Sequence, residues 1–290
     1  MMGFYRNQAF RFFGKYSEKV LELFPDLKAD LKKADMKISS QEYISIALFT
    51  TFLLFLLLFP TISLFFGLLT GAFLFGFISA FTTSLAVLFL TFIFFLNYPK
   101  IVKGEKAKEI EKALPFASLY LSTVTSSRLP LHTSFKLFSK FSGYGKIAEE
   151  INKINQDVEL FGLDINTALE REIDRSPSKS LNDLLWGVLS ASRTGGDINE
   201  YLKQKASSLI EEYRRKLYEF SHNLALYVEM YLTAIVLGTV FFTVLSAIVA
   251  GIAGAARNIV LLQAFLIFIF TPLVGMIFLF LVKRSTPAGE

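Results

Sequence analysis

Tyr43 to Pro99 reads YISIALFTTFLLFLLLFPTISLFFGLLTGAFLFGFISAFTTSLAVLFLTFIFFLNYP, 57 consecutive residues without a charge. A run this apolar and this long belongs in the hydrocarbon of a bilayer. As one helix it would extend roughly 85 Å at about 1.5 Å per residue, against a hydrocarbon core of about 30 Å. Three spans of at least about 17 residues would leave almost nothing for turns, so the stretch holds two. The turn is expected between Pro60 and Gly71, with span one at about 42–59 and span two at about 72–97. Small residues recur every fourth position, first Ser63, Gly67 and Gly71, then Ala72, Gly76, Ala80 and Ser84. That spacing lets helix backbones approach closely, and packing within the hairpin is its simplest use.

Two further apolar blocks, about 224–249 and 259–282, close the chain, with Gly251, Gly254 and Arg257 in the outer turn between them. The distribution of basic residues orients the four spans. Residues 1–42 carry eight Lys and Arg, residues 100–223 carry nineteen, and the tail has Lys283 and Arg284. Only Arg257 stands apart, so 29 of 30 basic residues share one side, which the positive-inside rule makes cytoplasmic. The expectation is an all-α polytopic protein of the cell (inner/cytoplasmic) membrane. It has four transmembrane helices, both termini inside, and a cytoplasmic six-helix bundle inserted between two hairpins. In residue ranges these are amphipathic N-terminal helices at 1–41, a first hairpin at 42–98, a bundle at 99–223, a second hairpin at 224–282 and a tail at 283–290. No cleavable signal peptide precedes the first apolar run.

Composition narrows the chemistry. The chain has no cysteine, which removes disulfides, thiolate catalysis and Cys-bound metal, and its two histidines, His132 and His222, lie in different segments. The net charge of +5 suits anionic headgroups or a partner protein as well as nucleic acid.

Residues 4–24 interleave Phe4, Phe10, Phe12, Phe13, Tyr16, Val20, Leu21 and Leu23 with Arg6, Arg11, Lys15 and Lys19. This helix suits either the inner leaflet, as a membrane-lipid contact, or a face of the cytoplasmic bundle. Pro25 starts a second short helix to about Lys37, and Ser39 or Ser40 caps the first span.

The central segment shows helical periodicity throughout. A first helix runs from about Gly104 to Ser127, kinked or restarted at Pro115, and a second from Pro130 to about Phe141 ends at Gly143-Tyr144-Gly145. A third carries Ile147, Ile151, Ile154, Val158 and Phe161 on one face and stops at Gly162. A fourth starts at Asp164 and buries Ile165, Ala168, Leu169 and Ile173. The fifth starts with Ser176 as cap and Pro177 in its first turn, and Gly195-Gly196 ends it. Asp197 and Glu200 have the residues of a capping box for the sixth, whose Ile198, Leu202, Leu209, Tyr213, Leu217 and Phe220 share a face. No breaker follows, so this helix is expected to run on into the third span.

No catalytic, cofactor-binding or metal-ligating set emerges. Gly14-Lys15 and Gly145-Lys146 lack the hydroxyl residue of a Walker A loop, and Gly143-x-Gly145-x-x-Ala148 follows a helix where a dinucleotide fingerprint needs a strand. Glu149, Glu150, Asp157, Glu159, Glu170, Glu172 and Asp174 could hold a divalent cation, but solvated outer faces of the third and fourth bundle helices explain them more simply. Arg171, Arg175, Lys179 and Arg193, near helix ends, are either solubilising charges or a docking patch for an acidic partner. Glu229 is the one acid near a span; five residues inside its edge, it is placed to snorkel to the interface.

The central bundle resembles the F domain of type II secretion and type IV pilus platform proteins. The resemblance is carried by Leu114-Pro115, then Ser126-Ser-Arg128-Leu-Pro130-Leu131, then Val158-Glu-Leu-Phe161-Gly162 with Ala168-Leu169. It continues through Arg175-Ser-Pro177-Ser178 and Thr194-Gly195-Gly196-Asp197. Arg128 stands where the family often has Gly. Leu31 to Tyr43 looks like the lead-in to the first span of archaeal (archaellum-type) platform and tight-adherence C-type proteins. With a single F domain the chain resembles the half-length members, which act as a homodimer or beside a second platform subunit.

The resemblance implies a non-enzymatic inner-membrane platform for filament assembly and protein secretion, coupling a hexameric secretion ATPase, acting in trans, to the insertion of pilin-like subunits. Neither a cofactor nor nucleic acid is implied. The basic set that would meet the ATPase is Arg128, Arg171, Arg175, Lys179 and Arg193. A small membrane transporter or channel is the alternative, predicting flux that depends on Glu229.

Overall fold

The structure is a computed structural model, and it describes residues 2–71, 73–127, 129–253, 263–265, 268–269 and 271–285. The described residues contain no strand. Three helices, Ser40–Leu69, Phe73–Thr125 and Ile198–Val249, are long and apolar enough to cross a membrane, and Thr271–Lys283 is a shorter apolar helix. The chain divides into two compact units, Met1–Leu202 and Lys203–Glu290.

The first unit opens with α1 (Met2–Leu23) and α2 (Asp26–Lys33). α3 (Ser40–Thr70) begins at a complete capping box: Ser39 Oγ accepts from the Glu42 amide at 3.2 Å while the Ser39 amide donates to Glu42 Oε2 at 3.1 Å. Of the two serines offered by the sequence, Ser39 is therefore the cap. Pro60 does not end the helix, which continues to Thr70 and stops at Gly71 with φ 65°. In hydrocarbon an opened turn would strand backbone polar groups, so a helix absorbs a proline more readily there than in water. Beside it the Thr61 hydroxyl donates to the Leu57 and Leu58 carbonyls at 3.0 and 2.9 Å.

α4 (Phe73–Thr125) is a single helix through Pro99 and Pro115. Span two and the first bundle helix are thus one element, where separate helices were expected. α3 and α4 pack along their rows of small residues, with Gly76, Ala80 and Ser84 buried. A Cβ on Gly76 would lie 2.6 Å from the Gly67 nitrogen, so the two backbones touch where side chains are absent. Hydroxyls in this hairpin, among them Ser79, Thr83 and Thr91, donate to carbonyls of their own helix three or four residues back. At its charged end Tyr43 Oη donates to the Phe95 carbonyl at 2.8 Å.

α1 packs on α3. Tyr5, Phe12 and Phe13 gather round Phe49 with ring centroids 5.2, 6.3 and 6.4 Å away, and Val20 and Leu21 join the core of Leu27, Leu31, Tyr43 and Ile44.

The bundle is built from the distal part of α4 together with α5 (Leu131–Ser139), α6 (Lys146–Glu159), α7 (Ile165–Arg175) and α8 (Lys179–Thr194). Ile110, Leu114, Phe135, Phe138, Ile151, Ile154, Leu169, Leu184, Leu185 and Val188 form its core, each at most 2% exposed. Asp164 caps α7 by accepting from the Asn166 amide at 3.0 Å. The cap of α8 is Ser178, which accepts from the Leu181 amide at 3.2 Å; Ser176 instead closes α7, its amide donating to the Glu172 carbonyl. Phe161 lies beyond the end of α6 and is 68% exposed, against the expectation of a core position.

Gly195, at φ 71°, ends α8, and Asp197 Oδ1 accepts from the Asn199 and Glu200 amides at 2.9 and 3.1 Å. α9 (Ile198–Leu232) then passes without a loop into a π-helical turn, Thr233–Leu237, and α10 (Gly238–Ala253). The expected rod is present. Leu202, on its first turns, is fully buried; Leu217, expected on the inward face, is 40% exposed. In the second unit Gln263 Nε2 donates to Ser246 Oγ at 2.8 Å, and the Tyr231 ring packs, tilted, against Phe278 of α11 (Thr271–Ser285) with centroids 4.5 Å apart. Gly254, Arg257 and most of the outer turn lie outside the described residues.

Candidate functional site

Three of the carboxylates read from sequence as solvated, Glu150, Asp157 and Glu172, belong to a buried charge network. α2 gives way at Ala34 to Asp35, which has the left-handed φ of 59°. Glycine usually fills such a position because a Cβ is strained there. Here the strained residue carries a carboxylate to two helices at once: Asp35 Oδ2 lies 2.7 Å from Lys153 Nζ on α6 and 3.5 Å from Lys106 Nζ on α4. Both lysines meet again at Glu150 Oε1, 2.8 Å from each. Glu150 is fully buried and Lys106 nearly so. Beside them Lys103 Nζ holds Asp30 Oδ1 at 2.9 Å.

Glu172 of α7, also fully buried, hydrogen-bonds to Glu150. Glu150 Oε2 and Glu172 Oε1 are buried and meet no donor, and two carboxyls side by side in such an interior favour a proton on one of them. Burial, followed by the hydrogen bond and charge of Glu150, pushes Glu172 up to about 9. Of the two carboxyls, Glu172 is therefore the one that favours its protonated form. Burial alone would raise Glu150 too, but the hydrogen bonds from Glu172, Lys106 and Lys153 outweigh it and hold Glu150 below its ordinary value. On the far side the Arg175 guanidinium bonds Glu172 and lies 3.0 Å from the buried Asp157 Oδ2. With Glu172 neutral, three cations (Lys106, Lys153, Arg175) face three anions (Asp35, Glu150, Asp157). Low-dielectric surroundings tolerate that balance and penalise any excess.

The solvated-face expectation fails for Glu150, Asp157 and Glu172, and the register of the chain explains why. Glu150 and Asp157 stand three residues after Ile147 and Ile154, and Glu172 four after Ala168, so each shares the apolar face of its helix. Lys106 likewise leads Ile110 and Leu114 by steps of four. That register was a usable signal. Asp35 carried none, since its partner Lys153 is 118 residues away.

Of the basic docking set, Arg175 is committed to this network. Arg171 is exposed, 3.9 Å from Asp157 Oδ1; Arg193 is exposed and paired with Glu170; Lys179 is exposed at the start of α8. Arg128 lies outside the described residues. The family-motif positions have local structural roles. Leu114 and Pro115 are buried in α4, and Ala168 and Leu169 in α7. Pro130 precedes α5, Gly162 turns the chain at φ 65°, Pro177 links α7 to α8, and Gly195, Gly196 and Asp197 make the reversal into α9. The Gly196 amide donates to the Ala191 carbonyl at 2.8 Å. Glu229 is exposed on α9, one turn before the π-helical segment.

Comparison with known proteins agrees with the motif reading. The family described as type II secretion system (T2SS), protein F matches residues 117–246, so this stretch carries a domain of that family. The match starts within the distal part of α4 and runs through the bundle into α10. An uncharacterized protein of Methanocaldococcus jannaschii is 24% identical over 205 residues, which make up 69% of this chain and 34% of that protein. The aligned stretch is thus about a third of that relative's length. No solved structure matches the chain. Three membrane-length helices and a protein F domain fit a membrane protein.

Proposed function

We propose that this chain is the non-enzymatic membrane platform of a type IV pilus-like, type II secretion or archaellum-like assembly machine. In this reading it spans the cell membrane four times with both termini in the cytoplasm. The α4–α9 bundle meets a hexameric secretion ATPase, and the spans meet pilin-like subunits as they leave the bilayer. The platform works as a homodimer or beside a second platform subunit.

One observation carries the reading: the bundle within the protein F match at 117–246 is entered and left through helices that run on without a loop, α4 from the first hairpin and α9 toward the third span. A displacement imposed on the bundle passes along hydrogen-bonded helix, where a flexible linker would dissipate it. Exposed Arg171, Lys179 and Arg193 supply the docking charge in this proposal. The test is co-purification of the detergent-solubilised full chain with the secretion ATPase of the same cell, together with filament counts after deletion. Binding weakened by charge reversal at Arg171, Lys179 and Arg193 is expected. Absence of ATPase binding, with filaments unaffected by deletion, would overturn it.

A further inference from the structure

Where α1 turns into α2, a cavity of about 380 Å³ opens against α4. Its size is that of small-molecule sites, roughly 300–1,000 Å³. Phe89, Phe92, Ile93 and Leu96, the last turns of α4 before its first charge, form one wall; Leu23 and Phe24 form the other. Phe89 and Leu23 are 64% and 73% exposed, so this apolar lining opens outward. At the other end Asp26, Asp30 and Lys100 also line a second cavity of about 450 Å³ that reaches Gly104 and Pro177. Phe89 to Lys100 covers roughly 16 Å of helix, about half the hydrocarbon thickness.

The charges are unequal in their commitments. Lys103 is bound to Asp30, whereas Lys100 is exposed and has no ion pair among the described residues. Asp30 is only 5% exposed, and its Oδ2 is buried with no donor. Asp26 stands exposed beside it. The cavity therefore pairs one uncommitted cation with two carboxylates, one of them short of a hydrogen bond, over an apolar floor on the membrane-length apolar part of α4.

We infer that this cavity binds one aminophospholipid of the membrane. Its phosphate meets Lys100, its ammonium meets Asp26 and Asp30, and an acyl chain lies along Phe89, Phe92, Ile93 and Leu96. A purely anionic headgroup would bring its charge to two carboxylates, and a soluble phosphate ester would leave the apolar wall without a partner. The inference rests on α4 crossing the bilayer and is independent of the platform reading.

Native mass spectrometry of the full chain, released from micelles containing equal phosphatidylethanolamine and phosphatidylglycerol, tests it. One phosphatidylethanolamine is expected to survive activation that strips other lipids, with about tenfold preference over phosphatidylglycerol. Lys100→Ala, which removes the phosphate partner, and Ile93→Trp, which fills the apolar wall, are each expected to abolish that adduct. Asp26→Lys is expected to shift the preference toward phosphatidylglycerol, a reversal that mere loss of structure would not produce. Unchanged melting by circular dichroism shows that the variants are folded. Equal retention of both lipids, an adduct indifferent to Lys100→Ala and Ile93→Trp in folded protein, or displacement by glycerophosphoethanolamine as effective as by the intact lipid would each overturn it.

Discussion

Lys106, Lys153 and Arg175 balance Asp35, Glu150 and Asp157, and a proton on Glu172 preserves that balance. The folded value of about 9 lies above the ordinary 4.5, so the native state holds this proton more tightly than the unfolded chain. The stability it supplies is complete below the ordinary value and is lost as pH rises toward the folded one. Asp35 and Glu150 act in the opposite sense. Their values are lowered, so their contribution is present above the ordinary carboxylate range and lost on acidification. The thermal midpoint of the purified protein should therefore fall as pH rises from about 5 to about 9 and level off above that. Glu172→Gln keeps an N–H donor for Glu150 and cannot ionise, so its midpoint should stay flatter across that window. Equal alkaline slopes in the two proteins would show that Glu172 is already ionised at neutral pH.

Among the elements, long helices override local breakers. Pro60, Pro99 and Pro115 all lie inside helices, although the sequence suggested that span one ends before Pro60 and that the first bundle helix is kinked or restarted at Pro115. Around Pro115 the reason is packing: Leu114, Pro115 and Ala117 are all buried, and the Ser118 hydroxyl donates to the Pro115 carbonyl at 2.8 Å. Midway along α9, Leu217 and Tyr218 are 40% and 76% exposed. Tyr218→Pro would remove a helix hydrogen bond there at a cost of about 3 kcal/mol. The expected phenotype is loss of filament output with ATPase co-purification retained. Normal filaments would show that continuity of α9 is not what transmits the work. The helix starts were far more legible, because a cap is a contact between neighbours: Ser39 with Glu42, Asp164 with Asn166, Asp197 with Glu200. The assignment of Ser176 failed by two residues: Ser178 supplies the side-chain cap of α8, while Ser176 closes α7 through its backbone amide.

At the scale of the whole molecule, the absence of cysteine makes the four-span proposal directly measurable. With a membrane-impermeant maleimide, Lys140→Cys and Lys203→Cys should label only after permeabilisation. Ala255→Cys, in the connection proposed to face outward, should label on intact cells. If Ala255→Cys reacted only after permeabilisation, the even parity of spans would be wrong.

Membrane character, two apolar helices of membrane length in Tyr43–Pro99, the all-helical class and the unbroken passage through α9 were determined by sequence alone. The physical reason is that each depends on residues near one another along the chain: continuous apolarity for the bilayer, 3.6-residue periodicity for helices, and local donors for caps. Tertiary structure alone decided which charges are buried and which glycines touch. Asp35 reaches Lys153 across 118 residues, and Gly76 lies against the backbone of Gly67. The desolvation and pairing that set the chemistry of a carboxylate, like the closeness of two helices, depend on what folding brings together.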